Sequence, residues 1–221
     1  MKKVMDDVKG YVESFSRLIC SVTEMEKTLL DIEEYFNEYP INNDGMSGRV
    51  WVLLGRAEGD SKYNSLMVAQ SEDIKKEIVF DIGAMFNMEY RRQRKLHSVW
   101  DIDKEIKYNL DVIKSPQLAE INSNGNTYLF QKGHNKIKSQ YLYRYLKKKF
   151  QDLRIYEVDI DKYLKAESSE NINATIYNVF NMGKDYWAES KLAVETNALF
   201  WNYYNSGLGK RAYCYFRKKE N

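Results

Sequence analysis

The apolar positions Val4, Val8, Tyr11, Phe15, Leu18, Val22, Met25, Leu29, Ile32 and Phe36 recur in alternating steps of four and three. That spacing keeps one stripe of a helix apolar, and its persistence predicts a long amphipathic helix, or two helices in register, over residues 4–36. Gly10 weakens the pattern locally, and Thr23-x-x-Glu26 fits the start of a second helix. The stripe has two uses: packing against the chain's own domain, or forming the seam of a homodimer. Tyr39-Pro40 and the run INNDGMSG then break the helix with turn residues.

Downstream the pattern shortens. RVWVLLGRA reads as a buried strand, EGDSKYN as a connection and SLMVA as a second strand, together an antiparallel hairpin. Ser71 is placed to cap the next helix, with Glu72 and Asp73 complementing its positive end and Ile74, Ile78, Ile82, Met85 and Phe86 on its apolar side. Further along, TYLFQKG and LRIYEVDI read as strands and IKSQYLYRYLKKKF as a basic helix. DYWAESKLAVETNALFWNYY reads as a helix and RAYCYF as a closing strand. Residues 166–185 are polar and loop-like. Helices and short strands mix without a βαβ rhythm, so the expected class is α+β. The expected fold is a small antiparallel or mixed sheet flanked by helices, with a helical segment at 1–39 and an α+β domain at 40–221.

Composition narrows the classes. With 221 residues, 43% apolar, the chain can bury a sizeable core. It contains no apolar run of the length a membrane helix needs. MKKVMDDVKG lacks the apolar core of a secretory signal, so a cytoplasmic location is expected. The two cysteines, Cys20 and Cys214, and two histidines, His97 and His134, show no zinc-ligand spacing. A hard cation held by carboxylates stays open.

Three separated pieces carry candidate chemistry: GRVWV opening a strand, MVAQSEDI joining a strand to a helix, and AESKLAVETNAL on a late helix. Their order resembles the GIY-YIG nuclease superfamily. The resemblance implies tyrosines that position an attacking water, an arginine that steadies the phosphate, and a glutamate that holds one divalent ion, Mg2+ or similar. Trp51 stands where the first tyrosine belongs, Met67 where the second does, and Ala69 replaces the glycine. Neither Trp nor Met carries a phenolic oxygen, but Tyr63 offers a hydroxyl and Arg56 a charge from the adjoining turn. Arg92, Arg94 and His97 are candidates for the phosphate clamp and a base, or else form a solvated basic helix end. Glu189 is the metal ligand the resemblance implies. Glu195 lies on the apolar stripe of Ala188, Leu192 and Leu199, where a carboxylate needs either a metal or a buried Arg or Tyr partner. Glu189-Ser190-Lys191 also spells the ExK of another nuclease class, which needs a strand where this segment reads as helix.

Net charge is only +2, but it is unevenly spread. Lys132, Lys136, Lys138, Arg144, Lys147, Lys148, Lys149 and Arg154 are opposed between them only by Asp152. With Arg56, and with Lys210 and Arg211 near the C-terminus, they form a candidate surface for nucleic acid, DNA foremost, or a solvated basic face. Three functions follow as expectations: a divalent-metal-dependent endonuclease of restriction or mobile-element type, a catalytically inactive nucleic-acid-binding or regulatory module, and an oligomerising interaction protein organised by the N-terminal seam.

Overall fold

The N-terminal apolar stripe does not build one helix. The computed structural model describes residues 5, 7–40, 49–86, 143–144, 146–165 and 184–199. It divides the stripe into α1 (Val8–Glu13), β1 (Ser16–Ser21) and α2 (Met25–Glu38). The expectation of a long N-terminal helix is corrected, and the reason is competition for residues 16–21. Ser16, Ile19, Cys20 and Ser21 are weak helix formers, whereas an extended chain there completes an antiparallel ladder with residues 154–158. The stripe divides with the helix. Val8 and Phe15 pack on one side of the sheet and Val22, Ile32 and Phe36 on the other, while Leu18 is 44% exposed.

The hairpin forms where its two apolar runs predict, as β2 (Arg49–Ala57) and β3 (Tyr63–Ser71), followed by α3 (Ile74–Met85). Asp73 rather than Ser71 caps α3. Its side chain accepts from the Lys76 N–H at 3.2 Å, and the Ser71 hydroxyl accepts from the Asp73 N–H at 3.2 Å. Residues 143–144 and 146–149 are helical and lead directly into β4 (Phe150–Val158). α4 (Ile160–Lys165) and α5 (Lys184–Glu195) follow. The strands expected at 127–133 and 211–216 lie outside the described residues, as does the helix beyond residue 199.

The four strands form one antiparallel sheet in the order β1-β4-β2-β3, so the latest strand sits between the first two. Alternation along β2 assigns its side chains to two cores. Trp51 and Leu53 join Ile155 beneath α2, α3 and the helical residues Tyr143 and Leu146. Val50, Val52 and Leu54 join Tyr156 and Val158 beneath α1, α4 and α5. The result is a sheet between two helical layers. Each fully buried aliphatic side chain, such as Ile32, Leu53 or Ile82, contributes about 1.5–3 kcal/mol relative to exposure. Among the described residues, no helix is long and apolar enough to cross a membrane.

Candidate functional site

The turn end of the β2–β3 hairpin is where the sheet departs from regularity. Gly59, at φ +77, makes the turn possible, and the Asp60 N–H donates to the Ala57 carbonyl at 3.0 Å. Just inside the turn the ladder slips on both sides of β2: against β3 between Leu53 and Leu54, and against β4 between Leu54 and Arg56. Gly55 lies between the slips. A Cβ there would stand 2.7 Å from Leu153 Cδ2 and 2.9 Å from Leu66 Cδ1, so any larger residue requires both leucine side chains to shift. On β4 the extra residue is Asp152, which takes a left-handed conformation at φ 52. A bulge of this kind re-aims a side chain out of the pleat, and aspartate is among the few residues that tolerate it.

The re-aimed carboxylate gathers a polar cluster on the side of the sheet that carries α1. Tyr63 donates its phenolic hydrogen bond to Asp152. Arg154 reaches Asp152 with Nε at 3.0 Å and Nη2 at 3.4 Å, and Arg56 Nη2 lies 3.3 Å from the same carboxylate. Both guanidinium groups stand 5.6 Å from the centre of the Tyr63 ring, with the Lys9 ammonium at 5.8 Å. Lys9 pairs with Glu13 at 2.9 Å, and Glu13 accepts from the Tyr156 hydroxyl at 2.8 Å. Partial burial works to raise the Asp152 carboxyl, but the bonds from Tyr63 and Arg154 and the charge of Arg56 prevail and hold it below the usual range. Tyr63 moves the other way, raised first by burial and then by its bond to that carboxylate. The cluster holds three cations against two anions.

The opposite end of the sheet offers a contrast. There Arg49 forks onto Glu157, which also accepts from the Tyr35 hydroxyl at 2.5 Å, and Arg17 stands opposite Glu157 across the β1–β4 ladder.

Of the described residues singled out by resemblance, Tyr63 and Arg56 are brought together, and Trp51, Met67, Glu189 and Glu195 lie elsewhere. The side chains of Trp51 and Met67 are buried in the core under α2 and α3, on the opposite side of the sheet from Tyr63. Met67 Sδ accepts from the Tyr143 hydroxyl at 2.9 Å. α5 packs over β2 and β3 and runs antiparallel to β3. Burial and then the charges of Asp185, Glu189 and Glu72 raise Tyr186, which sets the start of α5 beside the Ser71 end of β3. At the other end of α5 the Leu199 N–H donates to the Ser65 carbonyl at 3.0 Å. Glu189 therefore lies toward Ser71 and away from Tyr63; the two ends of this nine-residue strand are roughly 26 Å apart.

Glu195 takes the second of its two expected roles. One oxygen accepts from Tyr11 at 2.7 Å and Tyr163 at 2.5 Å, and the other pairs with Lys191 at 3.0 Å. Lys191 also stands 4.2 Å over the Tyr163 ring. Six positions apart on a helix, Glu189 and Glu195 are displaced by about 9 Å of rise and about a third of a turn, so they do not converge on one ion. Among the described residues no group of three His, Cys, Asp or Glu side chains is placed to hold a metal. Glu195 is taken up by Tyr11, Tyr163 and Lys191, and Glu189, the single ligand the resemblance implies, stands away from Tyr63.

The basic candidates divide in the same way. Lys147, Lys148 and Lys149 immediately precede Phe150, which pairs with Ala57, so the lysine run stands at the hairpin end of the sheet, its helix on the face opposite Arg56 and Arg154. Lys148 and Lys149 are exposed, and Lys147 stands 5.4 Å over the Phe86 ring. Arg144 is one helical turn earlier. Arg92, Arg94, His97, Lys136, Lys138, Lys210 and Arg211 lie outside the described residues. Asp152, Lys9 and Glu13 were not expected at this site, and Arg154 was expected as part of the basic block. The one sequence signal was an aspartate alone in a basic block, inside the strand FQDLRIYEV. No family model, curated protein or solved structure matches the chain.

Proposed function

We propose that the protein is a nucleic-acid-binding module, with DNA as its ligand, that contacts the phosphate backbone through the hairpin end of its sheet. The observation that carries this reading is the convergence of Arg56, Arg154 and Lys9 on Tyr63, with Lys147–Lys149 at the same end of the sheet on its other face, cations from three separate stretches of chain. Convergent lysines and arginines neutralise phosphates and release counterions, which gives affinity without base reading. Binding is favoured over metal-assisted hydrolysis because Glu195 is engaged by Tyr11, Tyr163 and Lys191, and Glu189 lies far from Tyr63.

Fluorescence anisotropy with a short labelled duplex, repeated across salt concentrations, tests the reading. The expected result is binding that weakens steeply with salt, and a Lys148→Glu, Lys149→Glu double variant whose log–log salt slope is shallower by about 2. Failure of the wild type to bind at about 50 mM salt would reject it. A supercoiled plasmid incubated with the protein and magnesium is expected to stay intact, and metal-dependent nicking would restore the nuclease reading.

A further inference from the structure

The donors around Asp152 are the set that recognises a phosphate group: two guanidinium groups, a phenolic hydroxyl and a nearby ammonium. In the free protein a carboxylate occupies their focus. Its presence there depends on the bulge opposite Gly55, because an aspartate in the regular pleat would not be turned toward Tyr63. The arginines are not saturated by it. Arg56 Nε is buried and has no hydrogen-bond partner among the described residues, and Arg56 meets Asp152 through Nη2 at 3.3 Å. At the other end of the sheet the guanidinium of Arg49 is matched by Glu157 through both Nε and Nη2. Of these two clusters the hairpin-end one leaves a guanidinium donor unused.

We infer that Arg56, Arg154 and Tyr63 form a receptor for one phosphate group, and that the Asp152 carboxylate is its built-in competitor. A phosphodiester of the ligand enters beside Arg56 and Lys9 and displaces Asp152 from the guanidinium pair. Asp152 thus limits affinity at this position and gives the site preference for a doubly coordinated oxyanion over simple anions such as chloride. The identity of the ligand as nucleic acid rests on the proposed function; the receptor itself rests on the fork.

The test uses the full chain and two probes, inorganic phosphate and a duplex. Asp152→Asn keeps a side chain that tolerates the left-handed backbone while removing the competing charge. The variant is expected to bind phosphate on the order of fivefold more tightly than wild type, and to bind the duplex more tightly with a salt slope steeper by about one. Equal or weaker phosphate binding by Asp152→Asn would overturn the inference. Independently of that variant's folding, phosphate added to the wild type is expected to shift the Arg56 and Arg154 Nε–H resonances, with chloride at equal ionic strength as control. Unmoved arginine signals would overturn the inference even where the duplex binds, leaving the nucleic-acid reading in place. Phosphate binding at the fork without duplex binding would uphold the receptor and reject that reading.

Discussion

Tyr63 and Asp152 are joined by a hydrogen bond although a whole strand separates them, since β2 lies between β3 and β4. Two strand spacings amount to about 10 Å, and the phenol covers that span only because the bulge turns Asp152 toward it. Replacing Tyr63 by Phe removes the bond while keeping the ring beneath the cations. The expected cost is about 1 kcal/mol, and a double-mutant cycle with Asp152→Asn is expected to show the two losses to be less than additive. Urea midpoints of the four proteins measure it; full additivity would mean the two side chains are not coupled.

Gly55 is the hinge of the same arrangement. Gly55→Ala drives a methyl into Leu153 and Leu66, at 2.7 and 2.9 Å, and overpacking of this kind costs about 1–3 kcal/mol. Combined with Leu153→Ala, which vacates the contested space, the alanine at 55 is expected to cost less than it does alone. Thermal melts of the single and double variants check this, and equal penalties in both backgrounds would point away from the clash.

A third test concerns Asp81, on α3. Its carboxyl is fully buried, with Oδ2 lacking a hydrogen-bond partner among the described residues. Burial above all, with the charge of Glu77, raises its pKa well above the ordinary value against the opposing bond from Tyr143. The folded state therefore favours the neutral acid. Its stabilising effect is complete below the unfolded-state pKa and is lost as pH rises toward the folded one. Asp81→Asn cannot ionise, so it is expected to gain about 1–3 kcal/mol over wild type near neutral pH and to show no gain in acid. The difference between the two urea-midpoint profiles, from about pH 4 to about pH 8, isolates this group from carboxylates such as Asp152 that run the other way. A difference independent of pH would reject the assignment.

Glu195 gives a fourth. It ties α1, α4 and α5 through Tyr11, Tyr163 and Lys191. Glu195→Ala leaves a buried ammonium and two phenols without this acceptor, with an expected loss of about 2–4 kcal/mol. Glu189→Ala, on a partly exposed position of the same helix, is expected to change stability by less than about 0.5 kcal/mol. Comparable losses at both positions would contradict the contrast drawn between them.

The hairpin was legible because its signals are local. The continuous apolar run along residues 50–54, turn residues at 58–62 and a charged helix start at 72–73 all lie within a few residues of the structure they specify. The segment 16–21 was not, because its apolar spacing fits a helical stripe and the choice of strand is made by residues 154–158, far along the chain. The site was half visible. Tyr63 and Arg56 stand out as a hydroxyl and a charge beside a turn, but Asp152 acquires its role from a ladder slip that no residue pattern within β4 announces. Trp51 and Met67 were placed by order along the chain, which says nothing of the side of the sheet to which a side chain points.

The insertion of β4 between β1 and β2 has a consequence for biosynthesis. Among the described strands β1 pairs with β4 alone, so as the polypeptide leaves the ribosome its first strand waits for residues 150–158 to appear. At ordinary elongation speeds that delay is on the order of ten seconds. During it Ile19, Cys20 and Val22 lack the neighbour that later shields them, whereas the β2–β3 ribbon can already close. Nascent fragments halted before Phe150 would carry that ribbon but not the four-stranded sheet, and the earliest part of the chain to be made is the last to be seated in it.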